Sequence, residues 1–224
     1  MCSLSKMRIP DHVYHLVEAS NWNSVQRHGL LSSRELLRLT DVPTEAQERI
    51  CTTQRLHLTA LSDQVAIRDQ LPMPPAALQK CLVGMTPAQW YALLNQMVFF
   101  WCDRDRLNRQ LNACAGRSQI VLTLDAKQLV AQHAERVALT PFNTGNARRK
   151  PAIRGRATFV PYSAWLASAW RSEAEAFGMR ERASTHSPVE LTVTGSVRDA
   201  AEFMVGIEYV RSGNSCHERN PTCC

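Results

Sequence analysis

At 224 residues the chain fits one large domain and can bury roughly 70% of its unfolded surface, which removes any need for disulfides or metals as staples. Hydrophobic residues make up 45% and charged residues 21%, a globular balance that excludes bulk disorder. The formal net charge of +6 comes mostly from arginine, whose planar guanidinium suits phosphate, so a polyanionic partner or cofactor stands beside a plain solvated surface.

Residues His12–Glu18 alternate as a strand, and Asn21–His28 read as a short helix closed by Gly29 at its C′ position. Ser33–Leu39 reads as a second helix. Thr44–Leu58 reads as a third, with Asp41 and Thr44 as caps and Glu45 and Glu48 favouring its first turns. Pro72-Met73-Pro74-Pro75 breaks the pattern as an extended linker inside the domain. Thr86 is an N-cap with Pro87 at N1, and the helix it starts runs through Trp90 and Leu94. Met97–Trp101 is an apolar, aromatic run of strand length. Asp103 caps a further helix with Leu107, Leu111 and Cys114 on one face. Gln119–Leu124 is a strand, and Asp125 caps the helix after it.

From Thr140 to Arg156 the chain is rich in Asn, Gly, Pro and Arg without periodicity, and this long cationic loop is where ligand contacts are expected. Thr158–Val160 reads as a short strand and Tyr162–Trp170 as a short helix. Arg171 opens a mixed-charge segment up to Ser187 that reads as a mobile surface loop. Val189–Thr194 alternates as a strand, Val197–Met204 forms one or two helical turns, and Gly206–Arg211 is a last strand. Helices and strands are interspersed without a βαβ rhythm, so the class is α+β.

Eight cysteines do not space as a disulfide framework: Cys51, Cys81, Cys102 and Cys114 lie singly in apolar or helical surroundings. The opening Met1-Cys2-Ser3 lacks the apolar run of a signal peptide, and no stretch approaches the roughly 20 apolar residues of a membrane span. A reducing, cytoplasmic location without membrane association is the expectation. The tail carries Cys216, His217, Cys223 and Cys224. Adjacent cysteines are poorly placed for two corners of a tetrahedron, so a loose tail with no metal is expected.

Tyr14-His15-Leu16 followed by Asn21-Trp22 and Gly29-Leu30-Leu31-Ser32 resembles the opening of the DarT-type ADP-ribosyltransferases. Three later segments match in order. Val98-Phe99-Phe100-Trp101 with Asp103-Arg104 is similar to the aromatic strand that delivers the family's arginine. Asn143-Thr144-Gly145-Asn146-Ala147 with Thr158-Phe159 resembles its Asp-Gly-Asn-Ala turn and Thr-Phe strand. Val189-Glu190-Leu191-Thr192-Val193 is similar to the strand carrying its catalytic glutamate. The patterns Val-Phe-Phe-Trp, Asn-Thr-Gly and Arg-Gly-x-x-Thr-Phe are closer still to an uncharacterised bacterial branch.

The resemblance implies an ADP-ribosyltransferase-like split mixed β-sheet flanked by helices over residues 1–212, with a helical insertion at about 33–96 and a flexible Cys-rich tail at 213–224. It implies NAD⁺ as substrate. Glu190 would hold the ribose 2′-hydroxyl, stabilise the oxocarbenium-like state and take the acceptor's proton. Glu202 matches the local pattern too, but only one strand follows it, which favours Glu190. The pyrophosphate needs a cation, and either Arg104 or Arg106 serves; on a helix the two point about 200° apart. His15, Tyr14, Asn21, Trp101, Asn143 and Thr144 are the other expected cofactor contacts, with Trp101 or Tyr14 stacking on nicotinamide.

The insertion is far longer than the corresponding DarT region, so the acceptor does not transfer. A nucleic acid, a DNA base first, is the expected acceptor, with RNA or protein open, and a macrodomain-type antitoxin is the implied partner of a toxin or defence effector. Two other functions compete. One is an NAD-dependent RNA 2′-phosphotransferase, whose paired Arg-His and His-x-His motifs are missing. The other is a non-catalytic nucleic-acid-binding module on the same fold.

Overall fold

Strand β1, His12–Glu18, forms where the alternation places it, with Val13 and Val17 on one face and Tyr14 and Leu16 on the other. The computed structural model describes residues 9–55, 59–61, 65–67, 73–114, 116–145 and 151–211. After a 3-10 turn at Ala19–Asn21, α1 (Trp22–His28) stops at Gly29, whose φ of 70° favours glycine. A Cβ there would also lie 2.5 Å from the Arg198 backbone. That close approach lets β2 (Leu30–Leu31) pair with a strand near the end of the chain.

The insertion follows. It holds α2 (Ser33–Leu37), α3 (Thr44–Thr52), the pair β3 (Thr59–Ala60) and β4 (Ala66–Ile67), α4 (Pro75–Gln79) and α5 (Pro87–Leu94). Helix α5 starts with a full capping box between Thr86 and Gln89. Helix α3 is shorter than its sequence suggests: it closes at Thr52, its N-cap is Pro43, and neither Asp41 nor Thr44 caps it. Thr53–Arg55, inside its expected span, are not helical, and residues 56–58 lie outside the described residues.

Then come β5 (Met97–Trp101), α6 (Arg104–Ala113), β6 (Gln119–Asp125), α7 (Ala126–His133) and β7 (Val137–Thr140). Asp103 and Asp125 cap α6 and α7 as expected. A 3-10 turn at Arg156–Thr158 precedes β8 (Val160–Pro161), so the expected Thr158–Val160 strand begins two residues late. Helix α8 (Tyr162–Ser168) leads into α9 (Arg171–Phe177). The chain ends in β9 (Glu190–Thr194), β10 (Ser196–Val197), α10 (Ala200–Phe203) and β11 (Met204–Val210).

The Arg171–Ser187 segment is therefore only partly a surface loop: residues 171–177 form α9, and the largely exposed stretch 179–187 has no regular structure. Glu173 of α9 is buried and takes two bonds from Arg182, at 2.8 and 3.1 Å. Beyond it, the Trp170 indole donates to the His186 carbonyl, and the His186 ring meets the Pro141 carbonyl. One of its charge pairs, Glu173–Arg182, is turned inward, while Arg171, Glu175, Arg180 and Glu181 stay exposed.

The class is α+β: seven strands in the order β11-β6-β1-β5-β9-β7-β8 pair antiparallel, with helices on both faces. A parallel bridge, Leu82–Arg154, lies outside that sheet. One face, carrying Val13, Phe100, Leu122 and Leu191, packs on α7, α8 and α10 in the main core. The other face is covered in two parts. Helix α6 covers the β1–β6 half through Leu107 and Leu111, and the insertion covers the β5–β7 half through Trp90 and Tyr91. Among the described residues no helix is long and apolar enough to cross a membrane.

Candidate active site

The two covers do not meet, and the sheet itself parts between them. Strands β1 and β5 share one residue pair, Tyr14–Trp101, although both strands continue past it. Beyond that pair the strands separate, and the His15 ring spans the gap by bonding Nδ1 to the Phe99 carbonyl at 2.8 Å. A cavity of about 260 Å³ occupies the gap. Its walls are His15 and Glu18 from β1, Phe99 and Trp101 from β5, Gln110 from α6, and Glu190. The insertion closes the outer side with Arg55, Ala66, Ile67 and Met73.

Opposite residues of an antiparallel sheet share a face. The register therefore sets Tyr14, Trp101, Glu190 and Thr140 in one row across four strands. Glu190 is 2% exposed. Its Oε2 accepts three bonds: from the Thr140 hydroxyl at 3.0 Å, the Thr144 N–H at 3.1 Å and the Thr144 hydroxyl at 2.8 Å. Its Oε1 has no hydrogen-bond partner among the described residues. Burial pushes the Glu190 carboxyl up to about 7, against the pull of the Thr144 N–H, the two hydroxyls and the Arg154 charge.

Thr140 has one hydroxyl proton and two acceptors, Glu190 and the Phe142 carbonyl at 2.9 Å. With Glu190 ionised the proton serves the carboxylate. With Glu190 protonated the hydroxyl turns to Phe142 and accepts instead. The site can thus hold either ionisation state of the carboxyl with its bonds satisfied.

The structure brings some of the sequence-expected residues to this cavity and places others elsewhere. His15, Asn21, Trp101 and Glu190 line it. The Trp101 indole N–H donates to Gln110, which fixes the ring against the wall. Asn21 spends its amide on the insertion, donating to the Ala66 carbonyl and accepting from the Ala66 N–H, both at 2.7 Å. Thr144 holds Glu190, and Asn143 accepts from the Gly145 N–H, shaping the turn. Asn146 and Ala147 of that turn lie outside the described residues, as does the tail with Cys216, His217, Cys223 and Cys224.

Tyr14 sits beside Trp101 but not on the cavity wall, and Arg104 lies over its ring at 5.5 Å. Arg104 pairs with Glu208 of β11 at the surface. Arg106 is near enough to Cys102 to draw that thiol down, against burial, Glu190 and Asp103, which raise it. Neither arginine lines the cavity. Glu202 is exposed on α10, away from the cavity.

Among the described lining residues the one cation is Arg55, which the sequence reading passed over. Its guanidinium donates to the Ile50 carbonyl at 2.9 Å and twice to the Asn95 amide oxygen at 3.2 Å. Asn95 is itself fixed by donating to the Cys51 and Tyr91 carbonyls. Gln110 was also passed over, and Thr140 and Arg154 were expected only as part of the Thr140–Arg156 loop, without roles of their own. Among the described residues, no three His, Cys, Asp or Glu side chains cluster as metal ligands, and Cys51, Cys81, Cys102 and Cys114 are free thiols.

A family model covers residues 11–204, from the first strand through the start of the last: the family of unknown function DUF7002. The chain belongs to this family. No curated protein matches it. Among solved structures, Thermosipho africanus DarTG in complex with ADP-ribose matches at 11% identity and a TM-score of 0.40. That match covers 88% of this chain and 43% of the other, so the DUF7002 chain spans less than half of its length. The likeness is too distant to carry fold or activity.

Proposed function

We propose that the protein is an NAD⁺-consuming ADP-ribosyltransferase that works in the gap between β1 and β5. One observation carries the reading: Glu190 is a buried carboxylate, held through one oxygen by three donors, with its other oxygen left for a ligand in an aromatic-walled cavity. The order of the motifs around residues 14–15, 98–104, 143–145 and 190 supports it.

The cavity, at about 260 Å³, lies below the roughly 300–1,000 Å³ of ordinary ligand pockets. It suits the nicotinamide and its ribose, with the rest of the dinucleotide extending outward past the insertion. Phe99 and Trp101 offer ring faces for nicotinamide. Glu190 Oε1 accepts from the ribose 2′-hydroxyl and opposes the positive charge that develops as the C1′–N bond breaks. Nicotinamide leaves with the bonding electrons. The acceptor's oxygen or nitrogen then bonds to C1′ and its proton passes to Glu190. Arg55 is the wall cation placed for a phosphate. Arg104 and Arg106 stand off the wall and are not needed for that contact.

The acceptor is a nucleic-acid base, DNA first, consistent with the +6 charge. A macrodomain that removes ADP-ribose is the partner such an enzyme requires if it acts as a toxin. The test is incubation with NAD⁺ labelled in the adenylate phosphate and separate pools of DNA, RNA and protein. Label in one pool, lost in Glu190→Gln, supports the reading. No transfer and no nicotinamide release in any pool overturns it, and salt-sensitive nucleic-acid binding without turnover would put a binding module in its place.

A further inference from the structure

Arg154 is a full charge in a place almost without water, 1% exposed and outside the cavity wall. Its backbone is locked to the α4–α5 connection: its N–H donates to the Cys81 carbonyl, and its carbonyl accepts from the Val83 N–H, both at 2.8 Å. The guanidinium donates from Nε to the Ala152 carbonyl and from Nη1 to the Thr144 carbonyl, each at 3.1 Å. It lies over Phe142 at 5.1 Å and Trp90 at 5.8 Å. Burial pulls the guanidinium below its ordinary value, while the neighbouring Cys81 and Glu190 pull it back up.

Burying a guanidinium costs several kcal/mol, and an apolar side chain of the same volume usually fills such a space more stably. Carbonyls and ring faces offset part of that cost. Among the described residues, Glu190 is a carboxylate whose charge reaches this arginine. The link between them is Thr144, whose carbonyl receives the arginine and whose N–H and hydroxyl both reach Oε2 of Glu190. The same turn is braced from its other side: Phe142 also lies under Arg182 at 5.8 Å, and Glu173 fixes that arginine.

We propose that Arg154 is a positioning residue for Glu190: it holds the Thr144 carbonyl so that the other two Thr144 groups aim at Oε2, and its buried charge favours the carboxylate. The charged and titratable groups around Glu190 divide clearly. Cys102 approaches from the end of β5, and His15, Glu18 and Arg55 share the cavity wall. Among the described residues, β7 and its turn contribute the neutral Thr140 and Thr144. Arg154 is the cation that acts from behind the carboxylate rather than from the ligand's side. Glu190 as the reacting group rests on the function proposed above, but the arginine's role is measurable without turnover.

The experiment is a ¹³C NMR titration of glutamate side-chain carboxyls in the full chain, with Glu190 assigned from Glu190→Gln. The variants are Arg154→Met, Arg154→Gln, Arg154→Lys and Phe142→Leu, with thermal unfolding measured in parallel. Loss of the cation in Arg154→Met raises the Glu190 midpoint by about one unit or more. Arg154→Gln keeps a donor but no charge and gives the same rise, which preserves the comparison if the methionine variant does not fold. Arg154→Lys returns the midpoint most of the way. Phe142→Leu loosens the turn, lowering Tm with a smaller movement of the midpoint. An unchanged midpoint in the neutral variants, or an equal movement in Phe142→Leu, overturns the assignment. A midpoint that follows Arg154 in a chain that cleaves no NAD⁺ upholds it and overturns the transferase reading alone.

Discussion

Thr144 donates to Glu190 twice, through its N–H at 3.1 Å and its hydroxyl at 2.8 Å, and both bonds end on the same oxygen. A carboxylate held from one side presents a fixed lone-pair direction on the other. Replacing Thr144 by valine keeps the shape and the N–H but removes the hydroxyl. A buried charged acceptor then loses a donor, a cost of about 1–3 kcal/mol. Thr144→Val should lower stability by that amount in urea unfolding and move the acid limb of turnover to higher pH. Turnover with an unmoved acid limb would mean that the hydroxyl does not set the ionisation of Glu190.

The carboxyl of Glu190 also leaves a signature in stability. Its ordinary value is 4.5 and burial lifts it to about 7, so between these pH values the folded chain binds the extra proton. Its contribution is complete below about pH 4.5 and is lost as pH rises through 7. Glu190→Gln imitates the protonated form. It should match the wild type at pH 4.5 and exceed it at pH 8, by at most on the order of 3 kcal/mol. Urea unfolding at the two pH values checks this, and a constant difference would contradict it.

Arg55 and Arg104 are distinguished by where they stand. Arg55 is on the cavity wall, whereas Arg104 is 36% exposed and tied to Glu208. Arg55→Ala should raise KM for NAD⁺ by roughly 10- to 100-fold, the worth of a charge-assisted bond. Arg104→Ala removes only a surface pair of about 0–1 kcal/mol and should leave KM within about twofold. Steady-state kinetics on both variants decide it, and the reverse ranking would return the phosphate to α6.

Asn21 latches the insertion to the sheet through both ends of one amide. Asn21→Ala leaves the Ala66 N–H and carbonyl without those partners and should make the cavity-facing side of the insertion exchange its amides faster. Ligand affinity should fall more than the rate at saturation, because Glu190 and its threonines are untouched. Hydrogen exchange read at residues 65–67 tests the first part, and an unchanged pattern would leave Asn21 as a ligand contact only.

Local chemistry explains what was legible in the sequence. The alternation of His12–Glu18, the Thr86-Pro87 start and the aspartates before α6 and α7 act within one turn or one strand, and each element formed where its residues place it. Glu190 was singled out by the resemblance of Val189–Val193 to a known strand, since nothing in its own neighbours marks a buried acid. What was missed depends on distant partners. The Arg171–Ser187 stretch looked like solvent-exposed charge, since nothing in it says that Glu173 meets Arg182 indoors. Arg55 and Arg154 are ordinary arginines in their own neighbourhoods, and partners such as Asn95 and Thr144, far along the chain or across a turn, help to place them. Strand β7 went unassigned but for Thr140, where the expected loop begins, because four residues are too few to reveal a period of two.

The single pair Tyr14–Trp101 has a mechanical meaning. It leaves the sheet as two panels, β11, β6 and β1 in one and β5, β9, β7 and β8 in the other. They are joined here by one ladder pair and the His15–Phe99 bond, and behind it by a shared core. A molecule that touches both panels therefore works as a splint across the one place where the ladder is interrupted, while the acid stays where its threonines hold it.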